Sequence, residues 1–309
     1  MVLAEAADRP YDASCKHLRK EHRIALSKRT IENVMQTVGE SWLEADRQVG
    51  QDHRDLTRPI ASEFPAERCC VFADGVMAHV DGAWHEVRLG TIRSDAGAAT
   101  LKSNVARLCD VESFGQDLQT RALQCGYGEA KLRAFIADGA KWIWRMADRQ
   151  FSTCIQILDF YHVCEHLCQC ANVLFGEGTD AATEWAWRMK GLLRAGLVDE
   201  ALDELRRDRS RSNAKTEAKR QLRGYLRNNR TRMDYPRYEA LGLPIGSGEV
   251  EAQCKATVQH RCKQAGMRWG RRGIEALLRV RCGLQDGRFE KAFQRWNHHL
   301  VARRKRNAA

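Results

Sequence analysis

Proline is scarce, with 5 in 309 residues, and glycine is ordinary at 23. That excludes collagen-like and low-complexity architectures. No apolar run reaches the roughly 18 residues a membrane helix needs. The opening stretch, MVLAEAADRPYDASC, carries acids and lacks the apolar segment of a secretory signal. No Cys-x-x-Cys pair occurs, which removes the strongest sign of a zinc ribbon or thioredoxin-type centre. Hydrophobic residues make up 43% of the chain and charged residues 29%, the balance of a soluble globular protein. Twelve cysteines without an export signal read as free thiols in a reducing compartment, so a cytoplasmic location is expected.

The formal net charge is +11 and unevenly spread. Residues 252–309 hold 15 Lys and Arg against 3 Asp and Glu, and residues 204–232 hold 11 against 3. The remainder is acidic on balance. Such asymmetry is the footprint of a polyanionic partner, most often nucleic acid. A solvated surface with a ragged cationic tail, Arg303 to Arg306, is the plainer reading.

Residues 1–22 show little pattern. From Ser27, the positions Ile31, Val34, Met35 and Val38 recur at helical spacing, with Ser27 or Thr30 as cap and Gly39 as stop. This segment reads as an ordinary amphipathic helix or as the second helix of a helix-turn-helix. Cys69–Ala73, Val76–Val80 and the alternating stretch from Trp84 to Leu89 read as three antiparallel strands. Asp74-Gly75 separates the first two, and Asp81-Gly82 forms the hairpin turn between the next two. Residues 98–126 read as mostly helical. Lys131–Ala137 and Thr153–Leu158 read as further strands, ending at Asp138 and Asp159, with a short helix from Lys141 between them. A long helical region runs from about 160 to 232 and breaks at Tyr235-Pro236. The loop LGLPIGSG then leads into a helix near Glu249, with more helices to about residue 298.

Strands that each end at an Asp are the feature with chemical content. Phosphodiester chemistry uses two divalent ions that stabilise the attacking and the leaving oxygen. Mg²⁺ takes hard oxygen ligands, typically a few carboxylates with water and phosphate. Asp74 and Asp138 are candidate ligands, and the helix near residue 249 supplies Glu249 or Glu251 as a third. These two lie ~200° apart around a helix, so only one faces the metals. Each Asp-Gly is equally compatible with a plain turn, and Glu251 with an i,i+4 pair to Lys255. His162, Cys164, His166, Cys168 and Cys170 crowd one segment, but i,i+2 side chains diverge on a helix, so buried thiols are favoured over zinc. Gly246-Ser247-Gly248 is followed by no Gly-Lys-Ser/Thr, so it reads as a tight turn that aims the following helix rather than as a phosphate loop of the Walker type.

Five stretches occur in a fixed order: Asp74-Gly75, Asp138-Gly139-Ala140-Lys141-Trp142-Ile143-Trp144, Asp159-Phe160-Tyr161-His162, Pro244 to Glu251 (PIGSGEVE), and Gly266-Met267-Arg268-Trp269. Together they resemble the ISKra-type insertion-sequence transposases and, more loosely, the Mutator-like group, over roughly residues 65–295. The resemblance implies an α/β, RNase H-like mixed sheet with flanking helices and an all-helical insertion before the last acid. The implied division is a helical amino-terminal segment over 1–64, core over 65–162, insertion over 163–240, core with basic helices over 241–298, and a basic tail over 299–309. It implies a DDE triad of Asp74, Asp138 and Glu251, the motif's Glu being the second after the GSG turn. The triad would hold Mg²⁺, with Mn²⁺ able to substitute.

Asp159 and His162 match the group's Asp-x-x-His signature and are implied as accessory residues, with an N-cap Asp beside a packed His as the structural reading. Lys255, Arg261, Lys263, Arg268, Trp269, Arg271 and Arg272 are the expected DNA contacts, although Trp269 reads more readily as core. The implied partners are double-stranded DNA, both terminal inverted repeats and target, bound by a homodimer or larger assembly without membrane involvement. The implied setting is the bacterial cytoplasm, at the nucleoid when on DNA. The family's longer amino-terminal DNA-binding region has only residues 1–64 to answer to, with 25–39 as its candidate remnant. A truncated or domesticated transposase that binds DNA without catalysis is the alternative.

Overall fold

The computed structural model describes residues 1–207, 212–294 and 297. The chain is mixed α/β and mostly helical. Its five strands, β1 (Arg68–Val80), β2 (Ala83–Ala96), β3 (Ala99–Arg107), β4 (Leu132–Ala137) and β5 (Ile155–Leu158), form one mixed sheet in the order β3-β2-β1-β4-β5. Two compact units are distinguished. One comprises Met1–Leu132, Met146–Phe151 and the described residues from Glu249 on; the other comprises Arg133–Arg145 and Ser152–Gly248. Among the described residues no helix is long and apolar enough to cross a membrane.

In the first unit β1, β2 and β3 form an antiparallel meander. The hairpin at Asp81-Gly82 is present as expected, both residues having positive φ. Two expectations fail here. Cys69–Ala73 and Val76–Val80 are one strand, not two: β1 runs unbroken through Asp74-Gly75, where Asp74 pairs with Leu89 and Gly75 with Arg88. Asp74 therefore lies in mid-strand and does not terminate one. Residues 99–107 are strand β3 rather than helix. Pairing along β2 overrides the helical propensity of an Ala-rich start.

Residues 1–22 do form helices, α1 (Val2–Asp8) and α2 (Tyr11–His22), anchored by Leu3, Ala6, Ala7, Tyr11 and Leu18. Helix α3 (Lys28–Arg54) opens at Ser27 as expected, the Ser27 side chain accepting from Thr30 N at 3.0 Å. It continues well past Gly39. Ile31, Met35, Val38 and Trp42 form its buried stripe. Helix α4 (Val111–Gln124) is capped by Asp110, which accepts from Ser113 N at 2.8 Å. Between β4 and β5 lies α5 (Lys141–Gln150).

In the second unit β4 and β5 are parallel, Ala134 to Ala137 pairing with Ile155 to Leu158. The helical region resolves into α6 (Phe160–Phe175), α7 (Asp180–Arg194), α8 (Val198–Arg207) and α9 (Asn213–Asn228), followed by α10 (Tyr235–Ala240), which Pro236 opens. Val163, Leu167 and Leu174 of α6 and Ala182, Trp185, Met189 and Leu193 of α7 are buried.

From Gly248 the chain forms α11 (Gly248–Gln253), a π-helical turn (Cys254–Gln259) and α12 (His260–Cys262). Arg281, on α13 (Arg271–Gln285), donates Nη2 to Ala256 O at 2.6 Å and Nε to Thr257 O at 2.9 Å. The buried guanidinium thus takes up carbonyls of the wide turn. The basic tail at Arg303–Arg306 lies outside the described residues.

Candidate functional site

The acids divide between the two units. In the first, Asp74 is half-buried on β1. Its Oδ1 accepts from Gly75 N at 2.6 Å, and its Oδ2 from the Cys254 thiol at 3.4 Å. Burial, with the negative charges of Asp74 and Glu251 nearby, pushes the Cys254 thiol well above its ordinary range. The thiol bonded to Asp74 is therefore neutral. Glu251 is exposed on α11.

Glu249 is in a different situation. Its carboxylate receives Arg93 Nη1 at 3.1 Å and Lys102 Nζ at 2.7 Å, from β2 and β3. Arg93 also reaches Asp95 at 3.3 Å, and Asp95 pairs with Arg68 at 2.8 Å. Burial opposes the charge on Asp95, but the donors on Thr100, Arg68 and Arg93 prevail and hold its carboxyl below the usual range. Glu249 is thus the end of an ion-pair chain that pins the start of α11 to the meander. The turn of α11 sends Glu251 elsewhere.

In the second unit Asp138 follows β4. Its Oδ1 accepts from Ala140 N at 2.9 Å, and its carbonyl accepts from Tyr225 OH at 2.8 Å. Gly139 has φ 103°, and a Cβ there would meet Leu158 and Tyr225 at 3.0 Å. Only glycine makes this turn without strain.

Asp159 follows β5 and is 1% exposed. Oδ1 accepts from Tyr161 N at 2.7 Å and His162 N at 3.1 Å, which caps α6. Oδ2 accepts from Ser247 N at 2.9 Å and also from Ser247 Oγ. A further bond, Phe160 N to Ile245 O at 2.8 Å, closes the clasp. Asp159 thereby fixes the PIGSG turn two residues before Glu249.

His162 Nδ1 lies 3.3 Å from Glu165, and its ring packs edge-on against His166 at 4.8 Å. His166 in turn packs on Tyr225 at 4.3 Å. Burial and the neighbouring His162 hold His166 below the usual imidazole range. Among the described residues no group of three or more His, Cys, Asp or Glu side chains is gathered to hold a metal ion. The cysteines crowded around His162 lie along α6, where burial raises the Cys164 thiol to about 11.

The carboxylate oxygens of Asp74 are the hard donors that a divalent cation takes, and the Cys254 thiol bonded to it is held protonated. Of the expected DNA contacts, Lys255, Lys263, Arg268, Arg271 and Arg272 are exposed. Arg272 makes a two-pronged pair with Glu40, at 2.8 and 2.9 Å. Arg261 and Trp269 are buried, at 1% and 8% exposure. Trp269 is core, its Nε1 donating to Cys262 O at 3.2 Å, and neither residue offers a surface to a duplex.

Cys254, Tyr225, Arg93 and Lys102 were not legible as site residues. Each acts through a partner distant in sequence, and none stands in a spacing that marks it. A comparison with protein-family models finds no match to this chain, and neither does a comparison with curated proteins.

Proposed function

We propose that the protein is a DDE transposase of a bacterial insertion sequence. It would cut double-stranded DNA at terminal inverted repeats and join the freed 3′-OH to target DNA, on an RNase H-like core and as a homodimer or larger assembly. The observation that carries the reading is that Asp74 bonds the buried Cys254 thiol, which follows Glu251 by three residues, while Glu249 is consumed by Arg93 and Lys102. The ion pairing of Glu249 supports Glu251 as the third acid.

Asp74, Asp138 and Glu251 would hold Mg²⁺ through carboxylate oxygens, with Mn²⁺ able to substitute. When bound, such ions stabilise the attacking and the leaving oxygen of a phosphodiester. The chain's own residues supply position. Arg93 and Lys102 restrain Glu249 and so set the register of α11. Asp159 and Ser247 fix the turn that feeds it. Tyr225 holds the Asp138 carbonyl. The acceptor inventory of Asp159 favours a positioning role over metal ligation, since both oxygens already accept two bonds each. The basic excess of residues 252–309 supports a DNA partner.

The test is Mg²⁺- or Mn²⁺-dependent nicking of DNA that carries the repeats flanking the gene. Wild type is expected to nick, and Asp74→Ala and Asp138→Asn to fall to background with DNA binding intact. Binding without nicking by wild type would instead identify a truncated or domesticated DNA-binding protein. Nicking that survives both substitutions would reject the triad.

A further inference from the structure

A cavity of about 760 Å³ in the first unit takes no part in the chemistry above. It is bordered by the starts of α2 and α3 and by the loop 265–270. Arg261 lies in its wall, held between two rings: the guanidinium is 4.8 Å from the Trp269 centroid and 5.2 Å from that of Tyr11. Its Nη2 donates weakly to Ala6 O at 3.4 Å, its Nη1 approaches Met267 Sδ at 3.8 Å, and its Nε is buried without a partner. Among the described residues no carboxylate lies within ion-pair distance of Arg261. A cation held out of water without a counter-ion is costly, and an anionic ligand relieves that cost.

The rest of the lining points the same way. Arg268 and Arg271 line the cavity and are exposed, and neither has a carboxylate partner among the described residues. Arg271 donates to Leu108 O at 2.9 Å. Arg272 is taken by Glu40, and Lys28 by Asp12 at 3.3 Å. After these pairings Arg261, Arg268 and Arg271 face two carboxylates, Glu32 and Asp81. Three arginines in one concavity suit a tetrahedral oxyanion, because the planar guanidinium presents paired donors that match phosphate. The volume also leaves room for what the phosphate is attached to.

We infer that this cavity binds the terminal phosphate of a nucleotide, free or at the end of a nucleic-acid strand, with Arg261 as the buried counter-charge and Arg268 and Arg271 at the mouth. Tyr11 and Trp269 are positioning residues that hold Arg261 in place. The inference stands on the cavity and its arginines, and its test contains no cleavage step, so it succeeds or fails separately from the transposase reading.

The test is calorimetric titration of the full chain at one fixed salt concentration, using two matched pairs. One is dAMP against deoxyadenosine. The other is a short single strand with a 5′-phosphate against the same strand with a 5′-hydroxyl. In at least one pair the phosphorylated member should bind tighter by about tenfold or more, the order expected of a charge-assisted contact. A preference confined to dAMP identifies free nucleotides as the ligand, and one confined to the strand identifies strand ends. R268Q and R271Q are exposed changes and should each reduce the preference without lowering the melting temperature. R261M should remove the preference and the thermal stabilisation by the phosphorylated ligand while melting no lower than wild type. A merely structural Arg261 would lower the melting temperature instead. Equal binding within both pairs, or a preference that R268Q and R271Q leave untouched, overturns the inference.

Discussion

Two glutamates two positions apart, Glu249 and Glu251, carry the same charge and meet different fates. Glu249 has two cations in contact, whereas Glu251 lies exposed on α11, three residues before the thiol that bonds Asp74. Glu251→Gln is therefore expected to remove nicking. Glu249→Gln should keep activity within about tenfold of wild type, equivalent to roughly 1.4 kcal/mol of barrier. The reverse order in a nicking time course would show that the ion-paired Glu is the working acid. Asp159 shows the same economy at a buried position. Asp159→Ala leaves two α6 amides and the Ser247 donors unpaired, so a loss of roughly 2–4 kcal/mol is expected in urea denaturation. Asp159→Asn should recover part of it, because one acceptor oxygen remains. Equal stability of Asp159→Ala and wild type would mean that water replaces the clasp without cost. The cap at Asp159 was readable from its place after a strand and before a helical run. Its second function was not, because Ser247 is 88 residues away.

At the scale of elements, α3 and α13 approach unusually closely. A Cβ on Gly39 would lie 2.5 Å from Ala276 Cα and carbonyl O, backbone atoms that cannot swing aside. Gly39→Ala gains about 1 kcal/mol of helix propensity but forces two helices apart, and a net loss of roughly 1–3 kcal/mol is expected from thermal or chemical unfolding. A stabilised variant would show that the contact is slack. This also explains why Gly39 does not end α3: the glycine serves packing, and Trp42 and Leu43 beyond it are buried. Elements whose signal is local were legible. The Asp81-Gly82 hairpin, β4, β5, α5, the Ser27 cap and the turn before α11 all follow from turn residues, caps and apolar runs. Elements decided by partners were not. β3 is a strand because β2 pairs with it, β1 continues through Asp74-Gly75 because Leu89 and Arg88 pair there, and α1 and α2 are too short to show a period without the core they cover. The same division holds at the site. Asp138 and Asp159 after strands were read correctly, whereas the mid-strand position of Asp74 and its contact with Cys254 depend on tertiary structure.

On the scale of the whole molecule, the resemblance that suggested chemistry rests on motifs scattered over both units, so the transposase reading requires both to be folded. Whether they fold together has a direct observable in the cysteines. All twelve are free, and seven are buried: Cys69, Cys70, Cys125, Cys254, Cys262 and Cys282 in the first unit, Cys170 in the second. The remaining five are partly accessible. Pulsed alkylation along a urea series, with peptides weighed by mass spectrometry, should thus find the five modified in native buffer and the seven protected. If one cooperative transition governs the chain, Cys170 and the six thiols of the first unit will lose protection at the same midpoint. If the units melt independently, Cys170 will part company with the others. A protein with no disulfides has in this way written its unfolding order into a set of masses, with its own thiols as the probes and no residue substituted.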